Sequence, residues 1–321
     1  MKKRNSVQFQ AGKVMVQIKQ RVWQLVLVVF LSPCAYAQST HYSVLCDLSG
    51  TSQNSTESFA TVTFHLEVPR RIVSNIKVTP AEGSRRIVIL RDISGSMSDK
   101  QIVSLQTVKD FAELFSATDK LGLIDFSDHQ QMEIELQDVA SFLNQFNEFM
   151  TSRLPRPYGQ SAVFDAIYGA GTYLRKDLQE GDSILLISDG DDNEGKINHE
   201  KLRQYLLASR IRIYWLAFPG FLHGTINGTL RPEEPSPELA HFVTDAGGRI
   251  IELHDARPPS LAIFHKEIAL LHETIAKPYK LQFELDAAVT EQTPLKTRLL
   301  AKDGKAVKGL EALCPKYISP N

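Results

Sequence analysis

Asp92, Ser94 and Ser96 stand at alternate positions in Asp92-Ile-Ser-Gly-Ser96, and all three side chains end in oxygen. One carboxylate and two hydroxyls are hard donors, which suit Mg²⁺, Mn²⁺ or Ca²⁺ better than zinc. Two later segments also carry side-chain oxygens. Ser161 lies in Tyr158-Gly-Gln-Ser161-Ala-Val-Phe-Asp165, and Asp189 closes the run Ser183-Ile-Leu-Leu-Ile-Ser188-Asp189-Gly190. The run 86–91 is largely apolar and stops at Asp92, the pattern of a buried strand. Beyond it, Ile102, Leu105, Val108, Ala112 and Phe115 fall on one helical face, and Ser98 with Gln101 fits a capping box. The first trio is therefore expected on a tight turn between a strand's carboxyl end and a helix N-terminus, where open α/β sheets bind ligands. The partial positive charge of such a terminus favours an incoming anion. Serines before helices are also ordinary caps, so capping beside solvated aspartates is the plain alternative.

The three segments, in this order, resemble the metal-ion-dependent adhesion site of von Willebrand factor A domains. That family's first segment reads Asp-x-Ser-x-Ser, as residues 92–96 do. Its second is a Gly-rich turn with a Thr opening a helix; here Ser161 replaces the Thr and keeps the hydroxyl. Its third is a strand ending in Asp-Gly, matched by Asp189-Gly190. The resemblance covers residues 84–277 and implies a Rossmann-like α/β fold. It also implies hydroxyl ligands from Ser94, Ser96 and Ser161, with Asp92 and Asp189 holding the ion partly through water. Such sites leave a position open for an Asp or Glu carboxylate of a protein or peptide partner.

The chain between the ends alternates strand and helix, the sign of a doubly wound, mostly parallel sheet with helices on both faces. Strands are expected at 121–126, 183–188, 211–217 and 249–253, with an antiparallel edge at 132–136. Helices are expected at 139–150, 162–174, 237–246 and 261–276. Residues 60–68 and 72–78 alternate like half-exposed strands after a Ser/Thr/Asn-rich stretch at 47–58, and 279–285 and 295–301 alternate again. Asp303-Gly304 marks a turn. Neither end has enough strands to bury a core alone, so 38–83 and 278–321 are expected to form one small accessory β-sandwich around the inserted domain. Cys46 and Cys314 could close it as a disulfide or remain two buried thiols.

Residues 1–37 read as a signal peptide: a basic stretch, an apolar run at 22–31 and Ala35-Tyr-Ala37 as the cleavage site. That run is well short of the roughly 20 residues of a membrane span. The protein is thus expected to be exported, secreted or periplasmic, touching a membrane only if the signal stays uncleaved. Composition is that of a soluble protein, 43% hydrophobic and 23% charged, and a net charge of −1 favours neither nucleic acid nor an anionic membrane.

The function expected is non-enzymatic capture of a protein or peptide through the cation. In a second reading the metal only stabilises the fold and the Gly- and Pro-rich loop 219–237 binds the partner. A third makes Asp92 and Asp189 a hydrolase's carboxylate pair, but no nucleophile elbow, His-Glu-x-x-His or phosphate-binding loop supports catalysis. The nine histidines lack zinc spacing. The acidic run 189–200 echoes a calcium loop, with its glycine one place late, and reads better as a solvated rim. Asp125 and Asp128 could add to that rim or cap a turn.

Overall fold

The computed structural model describes residues 39–50, 62–152, 157–226, 229–233, 236–253, 261–307 and 310–320; the signal sequence and its cleavage site lie outside them. The strands are β1 (Thr40–Gly50), β2 (Thr63–Glu67), β3 (Val73–Pro80), β4 (Arg86–Asp92), β5 (Lys120–Phe126), β6 (Gln130–Asp138), β7 (Ser183–Ser188) and β8 (Arg212–Ala217). They continue as β9 (Gly220–Ile226), β10 (Thr229–Glu233), β11 (Ile250–Glu252), β12 (Tyr279–Leu285), β13 (Thr293–Pro294), β14 (Lys296–Leu300), β15 (Leu310–Leu313) and β16 (Tyr317–Ile318). The helices are α1 (Gln101–Ala112), α2 (Val139–Ser152), α3 (Val163–Arg175), α4 (His199–Ser209), α5 (Pro237–Asp245) and α6 (Leu261–Ala276).

A six-stranded sheet of order β11-β8-β7-β4-β5-β6 forms the centre, parallel except where β6 runs antiparallel to β5 at the edge. Strand β4 is buried on both faces, and its period of two feeds two cores. Ile87 and Ile89 join Leu105, Val108 and Phe111 of α1, Phe142 and Phe146 of α2, and Leu271 of α6. Val88 and Leu90 join Val163 and Ile167 of α3, Leu202 of α4 and Leu239 of α5. This is the doubly wound, mostly parallel α/β fold expected, and it sets the loops after β4 and β7 side by side.

Antiparallel pieces from both ends of the chain enclose a third core. One sheet runs β15-β1-β12-β3; β2 pairs with β14, and β13 with β16. Tyr42, Phe64, Leu66, Leu281, Phe283 and Leu299 fill the space they bound. Cys46 and Cys314 are joined by a disulfide, so the two possibilities left open by the sequence resolve to the bridge. Asp303-Gly304 turns the chain between Leu300 and Ala306, with Gly304 at φ +79°.

Some expectations are corrected. Ile102 is 78% exposed and does not belong to the buried face of α1. Ser98 and Gln101 make no capping box: α1 begins at Gln101, and its side chain turns back to the preceding loop. Residues 40–50, partly read as loop, form β1, the strand that both β12 and β15 flank. Its Asp47 is buried and accepts hydrogen bonds from Arg212 Nη1 and, at 2.6 Å, from Tyr214 Oη, joining β1 to β8. Helix α4 went unanticipated because its leucines make only a narrow stripe beside an acidic run. Within the loop expected at 219–237, β9 pairs antiparallel with β10.

Candidate metal centre

Parallel pairing of β4 with β7 sets Arg91 opposite Ile187, so the two strands end together at Asp92 and Ser188. Ser188 Oγ donates to Asp92 Oδ2 at 2.6 Å, and Ser161 Oγ donates to the same oxygen at 3.2 Å. The Ser94 backbone N–H donates to Asp92 Oδ1 at 2.8 Å. Ser94 Oγ lies 3.1 Å from Ser96 Oγ. Four of the five residues picked out in the sequence are thus linked directly through side-chain and backbone hydrogen bonds. Asp92, Ser94, Ser161 and Asp189 are buried while Ser96 is exposed, so the cluster opens to solvent on the side of the Gly95–Lys100 turn.

Asp189 joins through a residue the sequence did not single out. Lys100 Nζ sits 3.5 Å from Asp189 Oδ2 and donates to the Ser96 carbonyl at 3.2 Å. Asp189 Oδ1 is buried and has no hydrogen-bond partner. Removal from water, and secondarily the nearby charge of Asp189, push the Asp92 carboxyl up to about 6. Gly190, at φ +87°, follows at once; a Cβ there would stand 2.3 Å from Trp215 Cζ2, so only glycine fits. Trp215 in turn donates through Nε1 to the Ser188 carbonyl at 3.0 Å.

Below the cluster, Gln101 works as a strut. Its Nε2 donates to the Asp92 carbonyl at 3.1 Å and the Met97 carbonyl at 3.2 Å, while its Oε1 accepts from Arg91 Nη1 at 2.9 Å. Arg91 pairs with Asp125 through both Nε, at 2.9 Å, and Nη2. Asp125 therefore belongs to the buried floor and not to the rim.

The loops above are laced by main-chain bonds. Gly95 N–H donates to the Gly159 carbonyl at 3.1 Å, Tyr158 N–H to Ile93 at 3.1 Å, and Asn193 N–H to Ser161 at 2.8 Å. The rim carries Asp128, His129 and Tyr158, with Tyr158 Oη against His129 Nε2 at 2.5 Å and His129 Nδ1 against Asp128 Oδ1 at 2.7 Å. The acidic run after β7 closes on the start of α3, where Asp192 Oδ1 accepts from Phe164 N–H at 3.3 Å and Asp165 Oδ1 accepts from Ile197 N–H at 2.8 Å. Those two carboxylates serve as backbone acceptors that tie the run to α3.

Among the described residues, no group of three or more His, Cys, Asp or Glu side chains is placed to hold a metal. The donor set here is different, two carboxylates and three hydroxyls, all hard oxygens that fit a small divalent cation. Away from the cluster, His272 packs edge-on against Phe115, and His265 Nδ1 lies 3.2 Å from Asp110 Oδ2.

Comparison with known proteins finds no match among curated sequences. The chain is similar to several solved structures. One is the conserved hypothetical protein BatB from Bacteroides thetaiotaomicron, at 18% identity and TM-score 0.42, covering 59% of this chain and 98% of that one. Another is a von Willebrand factor type A protein from Catenulispora acidiphila, at 13% identity and TM-score 0.47, covering 79% and 71%. A third is the manganese-loaded TRAP protein of Plasmodium vivax, at 14% identity and TM-score 0.38, covering 76% and 97%. Likenesses this distant carry nothing about what the present chain binds. The family description that matches its sequence, over residues 87–191, is the von Willebrand factor type A domain. That match to the von Willebrand factor type A domain spans all three segments of the cluster, from β4 to the loop after β7.

Proposed function

We propose that Asp92, Ser94, Ser96, Ser161 and Asp189 hold a divalent cation, Mg²⁺ or in its place Mn²⁺ or Ca²⁺, whose open position captures an Asp or Glu carboxylate of a protein or peptide partner. The observation that carries this reading is Asp189 Oδ1, buried without a hydrogen-bond partner beside a second buried carboxylate. Two carboxylates drawn together out of water repel, and a cation between them removes the repulsion. When bound, the ion supplies an electrostatic anchor for an incoming anion. The chain does the rest: Ser188 and Ser161 fix the Asp92 carboxylate, Gln101 fixes its backbone, and Ser96 marks the exposed side from which a partner arrives.

The reading is of a binding protein and not of an enzyme. Asp92 accepts from Ser94, Ser161 and Ser188, bonds that fix its carboxylate in one place. The domain is taken as residues 84–277, set between the β-rich parts 38–83 and 278–321. Export, with a signal at 1–37 cleaved after Ala37, is supported by the Cys46–Cys314 disulfide, since such bonds persist in oxidising compartments.

The test is thermal unfolding of the mature protein in Mg²⁺, Mn²⁺, Ca²⁺ and chelator, beside Asp92→Ala. A ligand that binds only the folded state raises the midpoint by mass action. Metal is expected to raise the parent's midpoint and leave the variant's unchanged. Acidic peptides should then be captured in metal and released in chelator. A parent that neither responds to metal nor retains any by elemental analysis would end the proposal.

A further inference from the structure

We propose that Lys100 is a built-in competitor for the cation: its ammonium neutralises Asp189 in the metal-free protein and must leave that carboxylate when the ion binds. The inference rests on the metal-binding reading above and deepens it.

Lys100 closes the short turn Gly95–Lys100 that carries Ser96, and its side chain is 3% exposed. Burial of a lysine is rare unless a partner offsets the lost hydration. Two of its partners belong to the cluster itself, Asp189 Oδ2 at 3.5 Å and the Ser96 carbonyl at 3.2 Å. An ammonium in that position does part of a metal's electrostatic work. It cannot stay there when the metal arrives, because an ammonium and a divalent ion sharing one carboxylate repel strongly even at the effective dielectric of a partly buried site. The lysine stem is flexible, with a strongly hydrated head, and Ser98 and Asp99 beside it are exposed, giving the head a route to water.

Two consequences separate Lys100 from an ordinary buried ion pair. The metal-free domain stays folded, because Asp189 keeps a counter-charge. Metal affinity is set below what the oxygen donors alone would give, because each binding event displaces the ammonium.

Lys100→Met keeps the length of the side chain and removes its charge. Titration calorimetry with Mn²⁺ is expected to show binding tightened by about tenfold or more over the parent, as the loss of a close like-charge repulsion implies. In chelator the same variant should unfold at a lower temperature than the parent. If the parent binds Mn²⁺ only weakly and Lys100→Met binds it at least about tenfold more tightly, the inference stands. Equal or weaker binding by Lys100→Met, with a parent that binds and an Asp92→Ala control that does not, overturns the inference and leaves the metal site intact. No binding by either protein overturns the metal reading itself. Should Lys100→Met fail to fold in chelator, it is refolded in Mn²⁺ beside Lys100→Gln. Failure of both variants at saturating metal makes Lys100 a structural residue and overturns the inference.

Discussion

Ser188 Oγ donates to Asp92 Oδ2 at 2.6 Å and accepts from the Gly190 backbone N–H at 2.9 Å, so one hydroxyl ties two strand ends to the loop carrying Asp189. Ser188→Ala breaks both bonds in a buried place. The expected loss of stability is about 1–3 kcal/mol, the cost of leaving buried polar groups unmatched. Urea denaturation measures it, and Mn²⁺ titration should show weaker binding through a misplaced carboxylate. Parent-like values in both measurements would mean that the hydroxyl positions nothing.

The raised Asp92 carboxyl gives the metal-free protein a distinctive pH profile. Between about 4 and about 6 the folded state keeps a proton that the unfolded chain has released. In chelator, this group's contribution to stability is therefore greatest at low pH and falls as pH rises through that window. Asp182, also pushed up to about 6 by burial, acts in the same direction. Asp92→Asn should flatten the profile and raise chelated stability at neutral pH by about 1–3 kcal/mol, while abolishing the response to metal. Unfolding curves across that pH range decide it; a variant as steep as the parent would show that the charge of Asp92 is not the source.

Gly190→Ala adds a methyl where the indole of Trp215 already stands, at a backbone angle that favours glycine. The expected cost is about 2–4 kcal/mol, combining overpacking with backbone strain. Trp215 reports directly on the change: of two tryptophans in the sequence, the other lies at position 23, within the expected signal. Its emission should shift in the variant as the bond to the Ser188 carbonyl is disturbed. Unchanged emission and stability would contradict this packing.

The Cys46–Cys314 bridge spans 268 residues. Replacing both cysteines with serine should lower stability by about 2–5 kcal/mol. The metal response should survive, because the cluster lies at strand ends of the other sheet. Denaturation of the oxidised, reduced and doubly substituted proteins, each followed by metal titration, separates the two effects.

Much of this arrangement was legible in the sequence because β4, β7 and the turn before α3 advertise themselves locally, as apolar runs that stop at oxygen-bearing residues. Asp92, Ser94 and Ser96 could be grouped on that basis and Ser161 through the family resemblance, and the structure brings them within hydrogen-bonding range. Lys100 could not be found the same way. Its distance to Asp189 depends on a tight turn after Ser94 and on the parallel pairing of β4 with β7, neither of which leaves a mark at position 100. Ser188 was in plain view but read as the end of an apolar strand. Asp47 was hidden differently: polar neighbours made it look like loop, whereas its partners Arg212 and Tyr214 lie 165 and 167 residues away. Ile102 fitted the helical period yet faces solvent, since periodicity assigns a face and not the depth of what covers it.

The pairing of Thr40 with Leu285 and of Cys46 with Tyr279 places the first described strand against one made more than two hundred residues later. A ribosome delivers β1 long before its neighbours exist. The α/β unit, whose strands find partners nearby in the chain, can close while β1 is still waiting. Contacts of such long sequence separation form late and slowly, with unpaired strand edges exposed meanwhile. The outer sheet is therefore the last part to assemble, and oxidation of Cys46 with Cys314 seals a molecule whose α/β unit has already folded.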